Sequence, residues 1–136
     1  MTEASAAARP DNDHCEYLRQ IHPCFLRDDL PTSAAFQPTK KDEGKLSGCD
    51  GDQVTPEQSF VHYTEKMGLQ SVAVFGVTQA ECLTKTLPII PSPRDEKPHH
   101  VHLDFNTLGS RKARENAAKH LRDAANSRGA LYRPAS

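Results

Sequence analysis

Three stretches of the chain predict a small α+β domain: an apolar run at 71–77, a histidine-rich alternating run at 100–105, and an alanine-rich segment at 110–127. Ser71-Val72-Ala73-Val74-Phe75-Gly76-Val77 is apolar at successive positions, so it reads as a strand covered on both faces and central in a mixed sheet. His100 to Phe105 alternates, which puts Val101, Leu103 and Phe105 on one face of a second strand and His100, His102 and Asp104 on the other. In the third stretch Ala113, Ala117, Leu121, Ala124 and Ala125 recur at helical spacing, with Arg111, Lys112, Lys119 and Arg122 largely on the opposite side. Small alanines let such a helix pack close to a sheet.

Length and composition limit what this fold can be. At 136 residues the chain makes one domain with a self-sufficient core. Its 36% hydrophobic residues and 10 prolines point to a modest core under long, heavily punctuated loops. A single α+β domain is expected over 14–133, preceded by a disordered N-terminus over 1–13. The formal charge of -1 hides an asymmetry, because residues 110–136 carry 7 Lys and Arg against 2 Asp and Glu while the preceding part is acidic. Nucleic-acid contact through the basic 110–133 segment is therefore conceivable, but the acidic body disfavours it. Cys15, Cys24, Cys49 and Cys82 stand far apart with no CxxC pair, and the N-terminus lacks the apolar core of a signal peptide. Reduced thiols in a cytoplasmic protein are expected. No stretch approaches the roughly 20 apolar residues of a membrane span.

In chain order, Tyr17, Leu18 and Ile21 suit a short helix or a strand, and Pro23 ends the element and leaves His22 on an extended corner. Pro31 and Pro38 bracket Thr32 to Gln37, which reads as an edge strand with Ala34 and Phe36 on one side. After the charged turn at 40–44, Lys45 to Gly48 forms a short extended piece closed by Asp50-Gly51-Asp52. Thr55-Pro56-Glu57-Gln58 joins a capping threonine, a first-turn proline and a glutamine three residues on, which starts a helix over about 56–67 that stops at Gly68. A second box, Thr78 to Glu81, opens a helix over about 78–85. Residues 87–93 read as a rigid proline loop, and Leu131-Tyr132 is free to dock on the sheet or on a partner.

Most of the chemically unusual residues fall between Ile21 and Asp52, at spacings that suit a shaped loop region and the wall of a pocket. The motifs IHP at 21–23, TSAAFQPT at 32–39, KDEGKLS at 41–47 and the proline-rich loop leading to HHVHLDF resemble a family of small bacterial hypothetical proteins. Those proteins read HPS, SSxAF, LSV and PxHAxxDF at these places. The resemblance spans about residues 17–133 and implies that His22, Ser33, Phe36, Ser47 and His100 are the positions to watch. It implies no activity. The chain departs from the pattern at Gly48-Cys49 and at His102, where an aliphatic residue is usual.

Two readings of function follow. In the first, the chain is a binding or regulatory module of a bacterial defence or toxin-related system. Ser33, Phe36, Lys41 and Ser47 would bind a protein partner or a small phosphorylated ligand in one cleft with His22 and His100, and Phe36 would form its floor. In the second, it is a small enzyme acting on a phosphodiester, nucleotide or ADP-ribose-like group, with His22 and His100 as acid and base. A metal site built from His99, His100, His102 and Asp104 fits strand geometry, but no further ligand stands at a reinforcing spacing, so neither metal nor cofactor is expected. Neither Ser33 nor Ser47 lies in a nucleophile elbow, and no glycine-rich phosphate loop is present.

Overall fold

A computed structural model describes residues 14–134, and the disordered N-terminus expected over 1–13 lies outside them. The α+β class holds: five antiparallel strands form one sheet, and helices flank both of its faces. The strands are β1 (Tyr17–Ile21), β4 (Lys45–Asp50), β5 (Ala73–Val77), β6 (Ile90–Pro91) and β7 (His100–Asp104), in the order β5-β1-β4-β7-β6. A separate two-stranded ribbon joins β2 (Leu26–Arg27) to β3 (Leu30–Pro31). Its turn places Asp28 and Asp29 at φ 55° and 67°, the left-handed pair that a two-residue hairpin requires. The helices are α1 (Pro56–Val61), α2 (Gln79–Leu83) and α3 (Arg111–Arg128). Among the described residues no helix is long and apolar enough to cross a membrane.

The ambiguous first element is a strand, because Tyr17, Leu18 and Ile21 are all buried and only a strand places neighbouring residues on two covered faces. It pairs with β5 over five residues, from Tyr17 opposite Val77 to Ile21 opposite Ala73. β5 is buried throughout, as its composition demands, yet it stands at the margin of the sheet and the sheet is antiparallel, not mixed. Its burial comes from α3 on one face, α1 on the other, and the C-terminal segment along its open edge. There Leu131 donates to the Val74 carbonyl at 2.8 Å, and Val74 donates to the Tyr132 carbonyl at 2.9 Å.

The main core lies between the sheet and α3. Ala117, Ala118, Leu121 and Ala125 face Tyr17, Phe75, Leu46 and Leu103. Beneath the helix, Ser33–Phe36 forms a 3-10 turn, not the expected edge strand. Ala35 and Phe36 are both buried while Ala34 is exposed, and a strand cannot bury two consecutive residues on one side. Arg128, in the last turn of α3, forks onto Glu81 at 3.1 and 2.7 Å and donates to the Gly76 carbonyl at 3.0 Å, which ties α3 to α2 and β5. Burial pushes the Glu81 carboxyl up, but hydrogen bonds from Arg128 and Thr78 outweigh it and hold the group below its usual range.

The capping boxes at Thr55 and Thr78 both form, each threonine accepting from the third residue of its helix while that residue's side chain returns to the cap. After Val61 the helix widens into a π-turn over His62–Lys66. The extended piece at 45–48 is longer than expected and forms the middle strand, β4. β4 meets β1 through only two pairs, Tyr17 opposite Asp50 and Leu18 opposite Cys49. Beyond them the Tyr17 hydroxyl donates to the carbonyls of Leu46 and Ser47 at 3.2 and 2.7 Å, and Arg19 donates to Ser47 at 2.7 Å. Gly48 makes room for that ring, since a Cβ there would stand 2.5 Å from the tyrosine and 2.7 Å from the Leu18 carbonyl oxygen.

Gly48→Ala should therefore cost about 1–3 kcal/mol, the range of overpacking in a core. Urea denaturation of the wild type and variant measures it, and an unchanged midpoint would show that Tyr17 does not need the space.

Candidate functional site

The most concentrated chemistry lies in the β6–β7 hairpin. Pro91 pairs with Val101 and Ile90 with His102, and Ser92 extends the ladder by donating its N–H to the His100 carbonyl at 2.9 Å. Ser92, His100 and His102 therefore share one face. The Ser92 Oγ stands 2.7 Å from His100 Nδ1 and 3.0 Å from His102 Nδ1. Two imidazoles thus converge on one hydroxyl, held by a hairpin whose turn closes through reciprocal bonds between Arg94 and Lys97.

The histidines differ in their surroundings. His100 is 6% exposed and its Nε2 is buried without a partner, whereas His102 is half-buried. Burial, then the charges of Arg94 and Lys97, push the His100 pKa down to about 4. Burial also lowers His102, helped by Lys45 and opposed by Asp104. Both rings are thereby biased toward the neutral form. On the neighbouring strand, Cys49 lies opposite His100 and Ser47 opposite His102. Burial raises the Cys49 thiol.

Of the residues expected to share one cleft, Ser47 and His100 stand near each other on paired strands, and Ser33 and Phe36 share a turn elsewhere. Phe36 is fully buried in the core under α3, on the opposite face of the sheet from His100, with Ser33 starting the same 3-10 turn. Lys41 is exposed in the turn Lys40–Asp42. His22 does stand on an extended corner, but its ring closes the following turn: Nδ1 accepts from the Cys24 N–H at 3.0 Å and Nε2 meets Gln70 Oε1 at 3.1 Å. Through the pairs Leu18–Cys49 and Cys49–His100, His22 lies four residues along and two strands across from His100, roughly 13 Å by 10 Å. The two rings do not form a pair. Short turns satisfy much of this loop region internally, at His22–Phe25, Ser33–Phe36 and Lys40–Asp42.

The histidine and aspartate face of β7 does not assemble a metal site. Both Nδ1 atoms are engaged by Ser92, and Asp104 accepts from the Asn106 N–H at 2.9 Å. Among the described residues no three His, Cys, Asp or Glu side chains are arranged to hold a metal ion. Cys24, Cys49 and Cys82 are free thiols among the described residues, with burial raising Cys82 to about 12.

Two concavities lie elsewhere. A cavity of about 220 Å³ opens where β1 and β4 end, between Leu18, Val54 and Leu131, with His14 and Asp52 paired at its rim. A shallower groove of about 450 Å³ follows α1 past Val61, His62 and Lys66, and Thr55 and Gln58 line both. Sequence reading missed this surface because its walls come from four separated stretches. It missed Ser92 because the proline loop hid a hairpin; the one available signal was a serine between two prolines, eight residues before a histidine. Comparisons with protein-family models, curated proteins and solved structures found no match to this chain.

The neutral His100 makes stability depend on pH. Its pKa is about 4 in the fold against an ordinary 6.5, so between those values the unfolded chain binds the extra proton. This stabilisation is complete above pH 6.5 and is lost as pH falls toward 4, with a limiting slope of about 1.4 kcal/mol per pH unit. Urea denaturation between pH 6.5 and 5, above the range of ordinary carboxylates, should show this slope in the wild type and a flatter one in His100→Asn. Equal slopes would mean that folding does not lower the His100 pKa.

Proposed function

We propose that this chain is a small binding module that receives a segment of a protein partner along the surface formed by the cavity at the β1–β4 end and the groove on α1. The observation that carries this reading is that Thr55 and Gln58 line both depressions, which makes them neighbours. Together they offer apolar walls at Leu18, Val54, Val61 and Leu131, with His14, Asp52 and Glu57 as polar groups at the margins. That mixture suits a peptide with one or two apolar anchors. The surface sets Asp52 and Glu57 beside Lys66, a mixed charge without the cationic cluster that a small phosphorylated ligand would favour. The dispersal of His22, Ser33, Phe36 and His100 removes the cleft they would have shared for binding and for acid–base chemistry alike, so the reading rests on the α1 surface. A cytoplasmic location and a setting in a bacterial defence or toxin-related system belong to the same proposal; the free thiols support the former, and the latter rests on the motif resemblance.

Displayed peptide libraries selected on the folded wild-type protein test the proposal. Enriched peptides should carry apolar anchors and lose at least about 10-fold in affinity on Val61→Glu or Leu131→Asp, as loss of a central contact does. Peptides that bind both variants unchanged, or a selection that enriches none, would overturn it.

A further inference from the structure

The hairpin's Ser92–His100–His102 cluster plays no part in the binding surface, and its proton arrangement can be worked out. Ser92 has one hydroxyl proton and faces two ring nitrogens, so at least one ring must donate to Oγ, which can accept from both. If His100 accepted, its proton would sit on Nε2, a buried N–H with no acceptor. If His100 donates through Nδ1, the buried Nε2 holds only a lone pair, which is the less costly orphan. That leaves the hydroxyl proton of Ser92 available to His102 Nδ1, in the tautomer of that ring with its own proton on Nε2. His102 is a neutral base on the serine, and His100 orients Oγ from the other side.

Access and charge fit such a pair. α1 packs on β1 and β5, which leaves the β4–β7–β6 half of this face without an extensively packed helix, and Ser92, His102, Ser47 and Cys49 are all only part-buried. The charged groups acting on the two rings are Lys45, Arg94, Lys97 and Asp104, three cations against one carboxylate, and none of the three cations is in an ion pair among the described residues.

We propose that Ser92 is a nucleophile with His102 as its general base, and that the site takes small carboxylic esters bearing a negative charge. Ser92 Oγ attacks the acyl carbon and its proton passes to His102 Nδ1. The bond from acyl carbon to leaving oxygen breaks, and the leaving alkoxide takes that proton. Water then attacks the acyl-serine, gives a proton to His102, and releases the carboxylic acid as Ser92 Oγ recovers the proton. No electron transfer or further reactant is required. Lys45, Arg94 and Lys97 supply the field that attracts the anionic group and favours the developing negative charge. His100 is a positioning residue that fixes which lone pair of Oγ is free.

The test is labelling of the full chain with an alkyl fluorophosphonate, followed by intact mass and peptide mapping. One adduct on Ser92 is expected in the folded protein. It should be absent in Ser92→Ala and in protein unfolded by urea, and should form at least about 30-fold more slowly in His102→Gln. The wild-type rate should rise with pH to a plateau with its midpoint below 6.5, a readout that stands even if His102→Gln fails to fold. Hydrolysis of 4-nitrophenyl hemisuccinate should exceed that of 4-nitrophenyl acetate, and the preference should shrink in Lys45→Gln and with added salt. Long-range nitrogen NMR should find the His102 proton on Nε2 in the wild type, and a mixture of tautomers in a folded His100→Phe variant. No adduct, an adduct elsewhere, a rate indifferent to pH, or a His102 ring protonated on Nδ1 would each reduce Ser92 to a structural bridge and overturn the proposal. Peptide binding at the α1 surface is scored separately, so either reading can fail alone.

Discussion

The seating of Tyr17 over Gly48 governs how the two halves of the sheet meet. β1 and β4 share only two residue pairs, and a ladder that short would leave carbonyls of the middle strand unpaired in the core. The tyrosine hydroxyl and the Arg19 guanidinium take the carbonyls of Leu46 and Ser47, so side chains complete what the backbone does not. Burial raises the Tyr17 hydroxyl far beyond its ordinary range, which keeps it a donor at any ordinary pH. A glycine on β4 is the steric condition for all of this. The same junction places Arg19 against the Ala35 carbonyl at 2.9 Å, so the 3-10 turn that carries Phe36 is anchored by it as well.

From that junction the two faces of the sheet take different roles. One face is filled by α3 and by the turn carrying Phe36, so any residue pointing there serves packing. The other is divided: Leu18 and Val74 are roofed by Phe60, Leu131 and Tyr132, while the strands beyond stay open. Polar residues accumulate on the open half because water can reach them there. His100 is the exception, since the hairpin buries it, and its unpartnered nitrogen marks where packing and polarity conflict. Conflicts of this kind are tolerated where chemistry uses them.

The α1 surface and the serine–histidine cluster are physically independent. The α1 groove depends on a short capped helix and on the C-terminal segment crossing β5, whereas the serine–histidine cluster depends on the register of a two-strand hairpin. Both sit on the same side of the sheet, but neither shares a residue with the other. A change that weakens one need not disturb the other.

Local chemistry was enough to place most elements. Thr55-Pro56-Glu57-Gln58 and Thr78 to Glu81 start helices because capping is satisfied within four residues, and the alanine spacing of 111–128 marks the inner face of α3 whatever lies beneath it. The α+β class and the burial of 73–77 were legible for the same reason. Strand order was not, because being apolar on both faces reports coverage, and coverage comes equally from two helices at a sheet margin or from a central position in a mixed sheet. Nor was the site legible. His22 and His100 look alike in sequence, yet one ring closes a turn and the other is buried against Ser92, a difference set by the eight-residue return of a hairpin. Sequence by itself determined where the chain turns and which residues seek the interior; only the tertiary fold decided which polar groups meet, since their contacts join separated stretches whose register is set by packing between strands.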